Sequence, residues 1–201
     1  MSAPDSVFVG VSGASGAQYA LRLTQALAAA GCRLQLCISD SGILVLQHEL
    51  SLPGEGREAV TNAFLSKAAV EAVVYEADDL SAPPASGSSA PDATVICPCS
   101  VATVAHVALG TTRTLIHRVA DVALKERRTL VVVPRETPLT EIHLRRLVEL
   151  AQAGAVVLPA MPAFYFLPET LQDLVDHVVG KVLGALGLEQ TLFPPWDGGG
   201  R

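Results

Sequence analysis

Short, continuously apolar runs alternate with helical patterns along this chain, and that alternation most constrains what it can fold into. Val7-Phe8-Val9-Gly10-Val11 contains no polar side chain and runs straight into Ser12-Gly13-Ala14-Ser15-Gly16. A strand with one wet face alternates apolar with polar residues, so a run like this one is covered on both faces. Ala20, Leu23, Leu27 and Ala30 follow at steps of three and four, the apolar face of a helix over 17–30. Gly31 then stands where a helix ends in a left-handed residue. The same pattern predicts strands over 34–38, 93–96, 130–133 and 156–158. It predicts helices over 100–109, 115–126, 139–153 and 168–188, with Thr140 as an N-cap and Gly154 as a stop. Residues 39–42 read as a turn, 43–76 as mainly helical with a break at Pro53-Gly54, and 81–92 as a loop rich in proline and small polar residues.

Strands joined by helices through short connections give an α/β three-layer sandwich around a mostly parallel sheet. The 201 residues suit one domain over 1–188 with a tail over 189–201. Hydrophobic residues are 50% and charged residues 17%, enough to fill one core and too apolar for a disordered chain. A net charge of −6 and only 4% aromatics exclude a general nucleic-acid binder. Residues 93–112 carry no charge and are long enough to span a bilayer. Cys97-Pro98-Cys99-Ser100 breaks that stretch into strand, loop and helix, so no membrane association is expected. The start, MSAPDSVFVGVSG, has no basic region and no long apolar segment of a signal peptide.

Cys32 and Cys37 are five apart and would point to opposite faces of one strand; Cys97 and Cys99 lack a second ligand pair. The four cysteines therefore read as reduced thiols of a cytoplasmic protein. His48, His106, His117, His143 and His177 show no paired spacing, and no G-x-S-x-G elbow exists, so neither a metal site nor a serine-hydrolase triad is expected.

Sheets of this class bind ligands beyond the carboxyl ends of the strands, where the strand order reverses. The loop Gly10–Gly16 joins strand to helix and aims backbone N–H groups at an anion. Its G-x-x-G-x-x-G spacing is neither the dinucleotide fingerprint nor a Walker A loop, which leaves a phosphate site and a plain tight turn both open. Asp40 imitates the ribose-binding acid of a dinucleotide fold. Between Arg113 and Arg146 stand Arg113, Arg118, Lys125, Arg127, Arg128, Arg135, Arg145 and Arg146 against Asp121, Glu126, Glu136 and Glu141, a positive segment in a negative chain. Arg118 and Lys125 are two helical turns apart and share a face. Arg135 and Glu136 follow a buried strand, where a ligand would sit. Glu136 suits either a proton donor to a leaving phosphate or an ion pair with Arg118 or Arg135. Phe164, Tyr165 and Phe166 form a loop cluster that covers a pocket or packs beneath a subunit contact.

The motifs GVSGASGAQYALRL, SAPPASGSSAP, CPCSVATVA, RVADVALKERR, VVPRETPLTEIHL, GAVVLPAMPAFY and FPPW, in this order over about residues 6–196, resemble the flavin prenyltransferases, the UbiX-type family formerly described as aromatic acid decarboxylases. The resemblance implies a flavodoxin-like, Rossmann-type fold in homododecamers with sites at subunit interfaces, and no metal. It implies reduced FMN and dimethylallyl phosphate as substrates, a prenyl group joined to flavin N5 and C6, and a UbiD-type decarboxylase as recipient of the product. By motif, Gly13, Ala14, Ser15, Ser39, Ser100, Val101, Ala102, Thr103 and Arg135 would hold FMN. Tyr165 and Lys181 match binders of the prenyl phosphate, with Arg118 and Lys125 reaching it from a neighbouring subunit. Ser15 and Glu49 match a proton relay, Glu136 the acid facing the leaving phosphate, and Trp196 a tail residue that closes over the site. Leu80, Asp40, Thr114, His117 and Lys181 depart from the family pattern. A redox or cysteine-decarboxylase-type FMN protein of the same fold, or a non-catalytic flavin carrier, are the alternatives.

Overall fold

The computed structural model describes residues 3–196 and 198; Met1 and Ser2 of the domain, and residues 197 and 199–201 of the tail, lie outside the described residues. In chain order the elements are β1 (Ser6–Val11), α1 (Ala17–Ala29), β2 (Arg33–Ile38), α2 (Asp40–Glu49), α3 (Gly56–Ala68), β3 (Val73–Tyr75), β4 (Ala93–Cys99), α4 (Val101–Ala108), α5 (Leu115–Lys125), β5 (Thr129–Pro134), α6 (Glu141–Gln152), β6 (Val156–Val157) and α7 (Leu171–Ala185). The six strands lie in the order β3-β2-β1-β4-β5-β6, and every pairing is parallel. The chain winds outward from β1 to β3, then crosses over to start again at β4, so the order reverses between β1 and β4.

The continuous apolar runs follow from two buried faces. Val7, Val9 and Val11 of β1 join Leu23 of α1, Leu46 of α2, Phe64 of α3 and Val179 of α7 in one core. Phe8, one residue out of step, joins Ile96, Leu130 and Val132 with Val104 of α4, Val119 of α5 and Leu150 of α6 in the other. Gly10 faces α5, where an added Cβ would sit 3.0 Å from Ile116 Cγ2.

Three expectations change. The segment 43–76 ends in strand β3, not helix: three residues are too short to show a period, and Val73 and Val74 are exposed on the sheet edge. Residues 39–42 are not a free turn. The Ser39 hydroxyl accepts from the Gly42 N–H at 3.1 Å and starts α2. Within 81–92, Pro83–Ala85 and Gly87–Ser89 form short 3-10 turns.

The uncharged stretch 93–112 divides at Ser100 into β4 and α4, and no helix among the described residues is long and apolar enough to cross a membrane. Pro98 has no N–H to give the sheet, and the β4–β5 register shifts between Ile96 and Cys99. All four cysteines are free and buried. Burial pushes the Cys97 and Cys99 thiols far up and Cys37 to about 12, so none is a thiolate near neutrality.

Candidate functional site

Three neighbouring strands, β2, β1 and β4, each end by launching a helix, and β5 beside them ends at Arg135. This carboxyl edge is tied together by short polar contacts. The buried Ser12 hydroxyl donates to the Pro98 carbonyl at 3.1 Å and accepts from the Ser100 N–H at 2.8 Å. Ser39 N–H donates to the Val11 carbonyl at 2.9 Å. Gly13 passes so close to Ser41 that an added Cβ would meet its Oγ at 2.3 Å, so only glycine fits there. The Arg135 N–H donates to the Cys99 carbonyl at 3.3 Å, and its Nε donates to the Ser15 carbonyl at 2.9 Å. Ser12 was not singled out from sequence; its position directly after a buried strand is the signal that would have found it.

The α1 start, open from its spacing to either a phosphate site or a plain tight turn, is occupied by a carboxylate of the chain itself. Glu49 Oε2 accepts from the N–H groups of Gly16 and Ala17, both at 2.8 Å. Burial raises the Glu49 carboxyl, but the Ser15 hydroxyl, those two N–H groups and the Arg135 charge outweigh it and hold the group below the ordinary carboxylate value. Ser15 and Glu49 are thus brought into contact as an ionised acceptor with a hydroxyl beside it.

With the α1 donors taken, the other helix starts along this edge differ in what they offer. At α4, the Ser100 hydroxyl accepts from Thr103 N–H at 3.2 Å and donates to Thr103 Oγ1 at 3.1 Å. No acid stands in the first turn of α4, and the N–H groups of Val101 and Ala102 are the orphan donors of a helix start. The α2 start carries Asp40 in its first turn. Asp40 is ion-paired with Arg57, which also reaches Glu76 at 3.3 Å, so the acid that imitated a ribose ligand is engaged.

The basic residues do not converge within one protomer. Arg118 donates to the Ala85 carbonyl at 3.0 Å and pairs with Asp121 at 2.9 Å. Lys125 pairs with Glu126 at the end of α5, next to the start of β5 and so at the opposite edge of the sheet. Among the described residues neither touches Arg135 or Glu136. Glu136 is exposed, accepts from the Thr137 N–H at 3.0 Å, and forms no ion pair among the described residues, so the alternative pairing with Arg118 or Arg135 is not made. A cavity of about 490 Å³ lined by Asp5, Asp92, Arg127, Arg128 and residues 184–187 also lies at the amino edge and contains none of the candidate residues.

The aromatic loop and the tail meet on α7. The Tyr165 and Trp196 rings lie edge to face at 5.4 Å, and the Lys181 ammonium sits 5.5 Å from the centre of the Phe193 ring. Gly180 makes room for this, since an added Cβ would lie 2.6 Å from Phe193 Cε1. Leu80 is half exposed. His117, by contrast, is buried against the His106 ring at 4.6 Å and is pushed down to about 4 by burial and by the nearby His106 and Arg113 charges.

Comparison with known proteins places this edge in a family. Residues 1–183 match the family described as Flavoprotein. The flavin prenyltransferase UbiX of Pseudomonas aeruginosa is 46% identical over 200 residues, spanning 98% of this chain and 96% of that protein. The crystal structure of AnUbiX in complex with FMN and dimethylallyl pyrophosphate superposes with a TM-score of 0.86 at 35% identity, covering 97% of this chain and 98% of that one. A dodecameric FMN-dependent UbiX-like decarboxylase from Escherichia coli O157:H7 superposes at 0.85 with 36% identity, covering 96% and 100%. The chain belongs to the flavoprotein family and, within it, to the UbiX-type flavin prenyltransferases.

Proposed function

We propose that this protein joins a dimethylallyl group from dimethylallyl phosphate to N5 and C6 of reduced FMN, and that a UbiD-type decarboxylase in the cytoplasm takes up the product. The 46% identity to a flavin prenyltransferase along nearly the whole chain carries the reading. The donor set suits a flavin with one phosphate: the α4 start with Ser100 to Thr103 for the phosphate, Gly13 to Ser15 and Ser39 along the loops, and Arg135 as the cation. A dinucleotide is disfavoured because Arg57 already holds Asp40. Reduced FMN, when bound, supplies the nucleophilic positions.

The chain's own residues have three tasks. Breaking the allylic C–O bond leaves its electron pair on the phosphate, and that charge is met by Tyr165, Lys181, and Arg118 and Lys125 of neighbouring copies. Lys125 lies at the far edge of its own sheet, so only an oligomer puts it at the site; a homododecamer provides this. Glu136, which forms no ion pair among the described residues, donates the proton to the departing phosphate. Ionised Glu49 would accept through Ser15 the proton given up at N5 as the first bond forms; closing the second bond adds one proton to the alkene and releases one from C6, so that step is proton-neutral. The tail, with Trp196, closes over the pocket and excludes water.

An apo UbiD-type decarboxylase tests the reading. It gains activity after incubation with this protein, reduced FMN and dimethylallyl phosphate, while this protein alone releases no carbon dioxide from aromatic or acrylic acids. Carbon dioxide released by this protein without a partner overturns it.

A further inference from the structure

His177 takes part in none of the steps above, yet it sits where the 160–167 loop and the C-terminal tail meet. It lies on α7 and is only 6% exposed. Its Nδ1 accepts from the Ala163 N–H at 3.4 Å, which places the ring proton on Nε2. The Phe166 ring stacks on the imidazole at 5.5 Å with planes 10° apart. On the tail side, Phe193 lies 4.7 Å away. Tyr165 approaches edge-on at 6.1 Å, and Tyr165 in turn holds Trp196. One imidazole is thus wedged between the 160–167 loop and the C-terminal tail.

We propose that neutral His177 is a positioning residue that clasps the 160–167 loop to the tail, and so sets Tyr165 and Trp196 over the prenyl phosphate; the second half rests on the function proposed above. Only the neutral ring can accept from Ala163, because an imidazolium donates from both nitrogens. The charged groups around it also favour the neutral form. Lys181, one turn along α7, would face a second positive charge. Asp173 is turned away to the Glu169 and Thr170 N–H groups, and Asp176 is engaged by Arg22 at 2.6 Å. The loop contributes Tyr165 as its titratable group, and tail residues 190–196 carry no charge. Burial and then Lys181 accordingly lower His177 below its ordinary 6.5. The undocked ring binds a proton more readily than the docked one, so docking is complete above 6.5 and weakens as pH falls through and below that value.

Trp196 is the sole tryptophan, which makes the tail directly observable in the intact oligomer. Acrylamide quenching and fluorescence anisotropy of Trp196 are followed from about pH 8 to about pH 5, the histidine range. Quenching of the wild type rises about 1.5-fold on acidification, the room left to a side chain already 63% exposed, and anisotropy falls. His177→Phe keeps the ring packing without a titrating group and stays flat over the range, while His177→Asn restores an acceptor near Ala163 but gives no acid transition. His177→Ala, checked for folding by circular dichroism, is quenched at every pH, and its KM for dimethylallyl phosphate rises on the order of ten-fold while FMN affinity is kept. A pH-independent wild type, or a His177→Phe variant with the wild-type acid transition, overturns the clasp. If the protein makes no prenylated flavin, the function proposed above fails while the fluorescence result stands or falls by itself.

Discussion

Glu49 caps a helix it does not belong to: its Oε2 receives the Gly16 N–H at 2.8 Å from 33 residues away. The carboxylate at the end of α2 thereby fixes the turn that begins α1 and keeps Ser15 against an ionised acceptor. Glu49→Gln preserves size but removes the charge facing the α1 dipole. The expected outcome is a loss of about 1 kcal/mol in stability together with flavin prenylation slowed by roughly 100-fold, checked by denaturant titration and single-turnover product analysis. Because the folded carboxyl sits below its ordinary value, its contribution is present above about pH 4.5 and lost as pH falls through the folded value.

Arg135 links β5 to the glycine loop through the Ser15 carbonyl. Arg135→Lys keeps the charge but loses the planar fork that can hold a carbonyl and a ligand at once. FMN affinity, read by quenching of flavin fluorescence, should fall by about ten-fold, and by more in Arg135→Ala.

His117 is buried and neutral, with its Nδ1 accepting from the Arg113 N–H at 3.3 Å. Its folded value of about 4 lies below the ordinary 6.5, so unfolding takes up a proton between these values and stability falls as pH drops through that window. The full effect is about 3 kcal/mol below pH 4. His117→Gln keeps an acceptor and removes the titration. Its unfolding midpoint should vary less between pH 6.5 and pH 4 than that of the wild type, as followed by circular dichroism.

Glu136 is exposed and outside any ion pair among the described residues. Glu136→Gln should bind FMN and dimethylallyl phosphate normally yet form adduct about 100-fold more slowly. A wild-type rate would make it a bystander.

Much of this was legible from the residues because both faces of the sheet are buried. A strand such as Val7–Val11 then announces itself by unbroken apolarity, and the loop after it must carry the polar work. β3 was not legible, since an exposed edge strand of three residues leaves no pattern. The occupancy of the α1 start by Glu49 was hidden for a different reason: a cap reached from another helix depends on tertiary placement, and G-x-x-G-x-x-G reads the same with or without it. Arg118 and Lys125 share a helical face as their spacing required, but spacing along a helix says nothing about which edge of the sheet that helix ends on. The clasp at His177 was equally silent, because its partners come from a loop and a tail that meet only in the folded chain.

The central claim is a covalent change in a flavin, and the mass of that flavin tests it most directly. The protein is incubated anaerobically with reduced FMN and dimethylallyl phosphate, and in parallel with the diphosphate, then denatured, and the released flavin is weighed by mass spectrometry. The account predicts FMN enlarged by one dimethylallyl unit with the phosphate ester, and no product without the donor. Recovery of unmodified FMN with both donors, or release of FAD in place of FMN, would contradict it.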